Sequence, residues 1–468
     1  MKMRMKKIIG GFFCVCCLLF QTAAPVKAVN APGQPVSDAP DETSLFATAA
    51  VLMDAASGRV LYGKNENAVM AMASTTKIMT CILILENASL DEELTVSAYA
   101  AGMPKVKLYI QRGERYRIRD LLYSLMLESH NDTAVALAEH IGKKHLSAQL
   151  RSKDTAEYTQ EESRQAVAAF AALMNEKAAS LGCENTWFIT PNGLDATESI
   201  PLSDGSTVQR DHCTTARELA GILAYCIGKS PERQTFLDIT RAQNYSFSAN
   251  GRSFSCVNHN AFLNMMDGAL TGKTGFTNKA GYCYVGALTR EGRTFVVALL
   301  ACGWPNNKSY KWADTRKLME YGIDNYYYRS FEQMGTAFEE QCLPPIPVRG
   351  GQTAVFNDTA YADVVISEEP VPGKQQDADA RSDDSQDGSV PGLDGLLLRP
   401  DEKIQIKYSA EKVLTAPVER GTVVGSIDYI VDGIVYRSVN VVTKDSVAAI
   451  DLKWCARQIW KRFITFHE

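Results

Sequence analysis

Strand-type runs bracket a helix-rich interior between residues 45 and 330, and this bracketing restricts the fold more than any other property of the chain. At the front, AAVLMDAASGRVLYGKN reads as a β-hairpin: Val51-Leu52-Met53 and Arg59-Val60-Leu61-Tyr62 flank Ser57-Gly58. Helical runs follow at 78–86, 118–127, 133–141, 165–181 and 215–227, with Gly182 as a C-terminal cap. At the back, 281–288 and 294–300 read as strands joined by a tight Arg290-Glu291-Gly292-Arg293 turn, and a further helix spans about 309–328. Helices between an early hairpin and late antiparallel strands predict an α+β domain over residues 46–330.

The texture changes after Pro344-Pro345. Short β-type runs with Gly turns (348–355, 363–366, 403–408, 425–431, 435–442) predict a small all-β domain over 344–447. Residues 368–394 interrupt it with eight acidic and two basic residues, and read as a disordered acidic insertion. The last 21 residues, 448–468, form an amphipathic pattern. Leu452, Cys455, Ala456, Ile459, Phe463 and Phe466 share one helical face, opposite Lys453, Arg457 and Lys461. Such a basic helix with Trp454 and Trp460 suits an interfacial membrane anchor, the alternative being a helix docked on its own protein.

The first 28 residues carry Lys2, Arg4, Lys6 and Lys7, then an apolar run from Ile8 to about Phe20, then small residues ending at Ala28. This is the pattern of a secretory signal peptide, and the run is short for a membrane span; an uncleaved N-terminal anchor is the alternative. Residues 29–45 read as an extended leader. Removing residues 1–28 takes the net charge from -5 to -10, of which the acidic insertion holds -6. That balance argues against a nucleic-acid binder. Of 12 Cys, three lie in the targeting segment, and the other nine show no CxxC or Cys/His cluster. Several, such as Cys81, Cys226 and Cys302, sit in apolar runs and read as buried core thiols.

Three short motifs carry chemistry. Ser74-Thr75-Thr76-Lys77 precedes the first helix, so Ser74 and Lys77 share a helical face. A buried lysine beside a second cation loses its proton readily and can serve as base for a serine. Ser129-His130-Asn131 offers a hydroxyl and an amide between two helical runs. Lys273-Thr274-Gly275 supplies a cation, a hydroxyl and a residue with no side chain, so that a substrate backbone can lie against a strand. Each alone has a structural alternative: a cap for the two serine motifs, a turn for the third. Gly272-Lys273-Thr274 also looks like the end of a P-loop, but Asp267 stands where that motif needs Gly.

In order, S-x-x-K, S-x-N and K-T-G form the set found in penicillin-binding proteins and class A β-lactamases. With MDAASGRVLYGKN, MASTTKIMT, LLYSLMLESHNDTAVALAEHI, ITPNGLDA, TTARELAGILAYCI and GKTGFTNKAGYCYVGAL, the chain resembles the low-molecular-mass penicillin-binding proteins that are serine-type D-alanyl-D-alanine carboxypeptidases. The resemblance covers about 45–330 and continues more loosely into a β domain and terminal helix. Glu198–Gln209, Ala269-Leu270-Thr271 and the acidic insertion depart from it.

The resemblance implies a transpeptidase-like catalytic domain and a Ser74 acyl-enzyme formed on the terminal D-Ala-D-Ala of a peptidoglycan stem pentapeptide. Lys77 would be the base; Ser129 and Lys273 would pass the proton to the leaving D-alanine, and Asn131 would orient the peptide. The Ser74 and Phe276 N–H groups would form the oxyanion hole, Gly275 would leave room beside the strand, and Thr274 with Arg217 would hold the terminal carboxylate. Penicillins would trap Ser74. The protein would lie outside the cytoplasm, on the outer face of the cytoplasmic membrane through its C-terminal helix, with no metal or organic cofactor. A β-lactamase-like hydrolase, a DD-endopeptidase and a non-catalytic wall-binding module are the alternatives.

Overall fold

A computed structural model describes residues 37–201, 205–331, 343–367 and 393–465. The signal segment 1–28, most of the leader, residues 368–392 of the acidic insertion, Cys342 and Phe466 lie outside the described residues.

The front and back hairpins meet in one sheet. Strand Ala49–Asp54 pairs antiparallel with Arg293–Leu300, Ala49 lying opposite Leu300. The order across the five strands is 60–64, 49–54, 293–300, 281–290, 269–277. The Glu291-Gly292 turn takes positive φ at both residues, the geometry that matches strand twist in a two-residue hairpin. Side chains alternate between two cores, which explains the unbroken apolar runs. Val51, Met53, Val296 and Ala298 face the helical region. Leu52, Phe295, Val297 and Leu299 face the opposite layer, where Leu318 and Met319 of helix Tyr310–Asn325 cover them.

Helix Lys77–Asn87 is buried from Lys77 through Leu85, so it runs through the interior and not along its surface. Helices Asn131–Gly142, Gln160–Ser180 and Ala216–Gly228 surround it. Gly142 permits the crossing of the first two: a Cβ there would fall 1.9 Å from the Ala166 carbonyl oxygen. The long helix starts with a capping box between Thr159 and Glu162, a device worth about 1 kcal/mol.

Several elements differ from the sequence expectation. The 118–127 run begins as an α-helix, Ile118–Tyr123, and widens to a π-helical turn at Ser124–Glu128, which delivers Ser129 in a left-handed conformation (φ 64). The helix expected to reach Tyr328 stops at Asn325, and Tyr327–Ser330 pairs with Gly395–Leu398. The 348–355 run is not one strand: Ile346–Arg349 ends at a Gly350-Gly351 turn. Helix Arg233–Arg241 and two hairpins, Thr197–Pro201 with Thr207–Asp211 and Asn244–Ala249 with Arg252–Val257, were unforeseen.

Among the described residues, the regular elements of the C-terminal region are β-strands until its last helix. Strands 364–367, 434–443, 423–431 and 405–410 form one sheet around Ile427, Val441 and Leu398. Arg59, at the start of the second strand of the front hairpin, reaches into this region. Its guanidinium donates to the Leu397 carbonyl at 2.7 Å and to both carboxylate oxygens of Glu402 at 2.9 and 2.5 Å. Helix Leu452–Thr465 closes the described chain. Trp454 is buried and stacks on Phe356, whereas Leu452 and Phe463 are 90% and 71% exposed. The apolar stripe containing Leu452, Ile459 and Phe463 therefore faces away from the protein, and the docked ring is Trp454.

Candidate active site

A cleft of about 660 Å³ opens between the sheet edge 269–277 and the helical region, lined by Ser74, Ser129, Asn131, Lys273, Thr274, Gly275 and Phe276 among others. The three motifs thus share one cavity, although they come from segments as much as 199 residues apart.

Ser74 sits in a short 3-10 turn, Ala73–Thr76, that leads straight into the buried helix at Lys77. Ala73 takes a left-handed φ of 48°, which turns the chain sharply ahead of the serine. The Lys77 Nζ lies 2.8 Å from Ser74 Oγ, 3.0 Å from Asn131 Oδ1 and 2.6 Å from the Asn192 carbonyl oxygen. Lys77 is fully buried, and this desolvation, with the Lys273 charge nearby, holds its amine well below the usual lysine range. A neutral amine fits these contacts: two N–H bonds reach Asn131 and Asn192, and the lone pair faces the serine hydroxyl.

Lys273 is also buried, and its Nζ donates to Ser129 Oγ and to the Thr274 carbonyl, both at 2.9 Å. Burial pushes its amine down to about 7. Asn131 spans the two halves of the site. Its Oδ1 accepts from Lys77, and its Nδ2 donates to the Lys105 carbonyl at 3.1 Å. Asp132, the next residue, accepts from the backbone N–H groups of Leu108 and Tyr109 at 3.0 and 2.8 Å. Together they fix the lip carrying Lys105 and Val106.

Gly275 answers a close approach. A Cβ there would fall 2.8 Å from Ser74 N and 3.1 Å from the Met72 carbonyl oxygen. The strand edge therefore lies directly against the nucleophile turn, leaving Phe276 at the mouth with its ring tilted over Tyr282. At the far rim, the Glu128 carboxylate bridges to His259 Nε2 at 2.7 Å.

The expectation for Arg217 needs correction. Arg217 is exposed near the start of helix Ala216–Gly228, its backbone N–H bonds to the Glu66 carbonyl, and its charge acts on Tyr436 of the C-terminal region. It does not line the cleft. Lys105, Lys308 and Lys311 do, and none was singled out from sequence. Lys311 is buried with its Nζ on the Lys308 carbonyl, while Lys308 itself is exposed. The other unforeseen contributor is Asn192-Gly193. Gly193, at φ 81, packs where a Cβ would fall 2.0 Å from the Ala73 carbonyl oxygen. The PNG tripeptide was the available signal, since Pro and Gly mark a shaped turn.

The cysteines are bystanders. The eight described are unpaired, seven of them buried, and burial pushes the Cys81, Cys226 and Cys302 thiols up. Among the described residues, no group of three or more His, Cys, Asp or Glu side chains converges as metal ligands would.

Comparison with known proteins agrees with this geometry. Residues 35–146 and 163–301 match the Peptidase S11 family, D-alanyl-D-alanine carboxypeptidase, and residues 400–449 match the penicillin-binding protein 5 C-terminal domain. The chain is 26% identical over 327 residues to D-alanyl-D-alanine carboxypeptidase DacF of Bacillus subtilis, covering 69% of this chain and 72% of that protein. It is 29% identical over 266 residues to DacB2 of Mycobacterium tuberculosis, covering 57% of this chain and 76% of that protein. The crystal structure of DacD from Francisella tularensis shares the fold, with a TM-score of 0.58 at 20% identity over 92% of this chain and 100% of that one. With more than half of its residues matched, the chain belongs to the family of serine-type D-alanyl-D-alanine carboxypeptidases.

Proposed function

We propose that Ser74 is the nucleophile of a carboxypeptidase cycle acting on the terminal D-Ala-D-Ala of peptidoglycan stem pentapeptides. The observation that carries this reading is the buried Lys77 amine 2.8 Å from Ser74 Oγ. Lys77 takes the hydroxyl proton as Ser74 Oγ attacks the carbonyl between the two D-alanines. The tetrahedral oxyanion is held by the N–H groups of Ser74 and Phe276, each such donor being worth about 3 to 4 kcal/mol in other enzymes. Collapse breaks the peptide bond, and the leaving amine takes its proton through Ser129, hydrogen-bonded to Lys273. Asn131 orients the acyl side. Thr274 receives the terminal carboxylate with Lys308, an exposed cation of the cleft, in place of Arg217. Water then attacks the acyl-enzyme and releases the tetrapeptide. A β-lactam acylates Ser74 in the same way and deacylates slowly.

The test is release of D-alanine from a stem pentapeptide, with covalent labelling by a fluorescent penicillin as a second readout. Wild-type protein should do both and Ser74→Ala neither. A wild-type protein that is never labelled would leave only a wall-binding role. Penicillin turnover within milliseconds would favour a β-lactamase, and cleavage of cross-linked dimers without D-alanine release an endopeptidase.

The same reading has the chain exported and held on the outer face of the cytoplasmic membrane by its last helix. The outward Leu452, Ile459 and Phe463, with Lys453 and Arg457 also exposed on the same helix, support an interfacial position. Among the described residues, no helix is long and apolar enough to cross a membrane. Co-sedimentation with anionic vesicles should be lost on deletion of 452–468.

A further inference from the structure

One buried titratable side chain beside the nucleophile has no part in the cycle above. His212 is 3% exposed and lies between two segments of the site. Its Nδ1 accepts from the Ile189 N–H at 3.0 Å. That leaves the ring proton on Nε2, which donates to Thr76 Oγ1 at 2.8 Å. The Thr76 hydroxyl passes its own hydrogen to the Ala73 carbonyl at 2.8 Å. Burial pushes the imidazole down to about 3, so the ring stays neutral and keeps this donor–acceptor polarity.

The two segments it joins are the working parts. Thr76 lies between Ser74 and Lys77 on the nucleophile turn. Ile189 opens the loop that ends at Asn192-Gly193, whose Asn192 carbonyl accepts from Lys77 and whose Gly193 lies against Ala73. Thr80 adds a second tie, its hydroxyl donating to the Pro191 carbonyl at 2.6 Å. We infer that His212 is a positioning residue for acylation, keying the Asn192 carbonyl to Lys77 by holding the 189–193 loop against the nucleophile turn.

This rests on the roles of Ser74 and Lys77 proposed above, and the consequence has a sign. A carbonyl accepting from Lys77 stabilises the ammonium more than the free amine. If the loop slips, the Lys77 amine loses its proton more easily, yet its lone pair is no longer aimed at Ser74. The acid limb of the acylation profile should then move to lower pH while the plateau falls.

The experiment measures second-order acylation by a fluorescent penicillin from pH 5 to 10, with thermal unfolding alongside, for the full chain. His212→Phe removes both hydrogen bonds and should lower the plateau at least about tenfold while shifting the acid limb down by about half a unit or more. His212→Gln offers an amide that can donate to Thr76 and accept from Ile189, and should stay within about threefold of wild type. Thr76→Val breaks the contact from the other side and should shift the limb as His212→Phe does, which covers the case in which the Phe variant does not fold. Phe188→Leu loosens the ring edge-on to His212 (5.8 Å) and should lower the melting temperature without moving the limb. Unlabelled wild type would overturn the Ser74 reading itself. Labelled wild type with an unmoved limb in both His212→Phe and Thr76→Val, or equal losses in the Phe and Gln variants, would overturn the inference alone.

Discussion

Substituting Gly275 by Ala probes the contact on which the proposed oxyanion site depends. Gly275 lacks a left-handed φ, so alanine fits its backbone conformation and the effect is one of space. The added Cβ would sit 2.8 Å from Ser74 N, against about 3.4 Å for ordinary contact, so strand and turn must separate by about 0.6 Å. Neither side yields easily: the turn leads into a helix buried from its first residue, and the strand is paired to 281–290 along its length. The Ser74 and Phe276 N–H groups proposed as the oxyanion hole would then no longer converge on one oxygen. Complete loss of one such donor costs about 100- to 1000-fold, and a misplacement near 1 Å about 100-fold. We expect Gly275→Ala to lower the acylation rate constant about 100-fold, or about 2.7 kcal/mol. Stopped-flow acylation by a chromogenic β-lactam reads this directly, and thermal unfolding checks that the fold persists. A variant that folds normally and acylates within about threefold of wild type would refute the close-approach argument.

Other outcomes follow from the same structure. Lys273 carries its charge below about 7 and loses it above, so acylation should decline as pH rises through that value; Lys273→Arg, slower overall, should lack this decline in the pH profile. Glu139 is buried against Ser97, and desolvation pushes its carboxyl up to about 7 from 4.5. The folded state therefore holds a proton that the unfolded state releases, and stability falls by about 3 kcal/mol as pH rises from about 4.5 to 7. Glu139→Gln should flatten that slope in denaturant titrations. Arg217→Ala should leave D-alanine release within about twofold, since its side chain lies outside the cleft.

The motif residues were legible because each chemical role needs a particular side chain at a fixed offset, and Ser74 with Lys77 is a local pair. The apolar strands near 50 and 295 were legible as short unbroken β-type runs bounded by turn residues. What escaped was carried by backbone or by distance. Asn192 contributes a carbonyl that any residue possesses. Arg217 was placed by resemblance, and only the fold shows that its helix directs it away from the cleft. The π-helical turn at Ser124–Glu128 has the apolar composition of an ordinary helix, and only the left-handed Ser129 beyond it betrays the extra residue. Hairpin Asn244–Ala249 with Arg252–Val257 went unforeseen although the sequence carries its signal, aromatic and Ser residues alternating about Asn250-Gly251.

The central sheet also sets an order of events during synthesis. Strand 49–54 emerges early, yet one of its two neighbours is 293–300. The cleft likewise needs Ser74, Asn131, Asn192 and Lys273 together. A nascent chain that stops short of residue 269 has a nucleophile segment but no 269–277 wall beside it, and strand 49–54 lacks its 293–300 partner. Such long sequence separations slow folding and leave apolar edges bare for longer. Chemical competence therefore arrives all at once and late, so a partly made chain presents an adhesive strand in place of an enzyme.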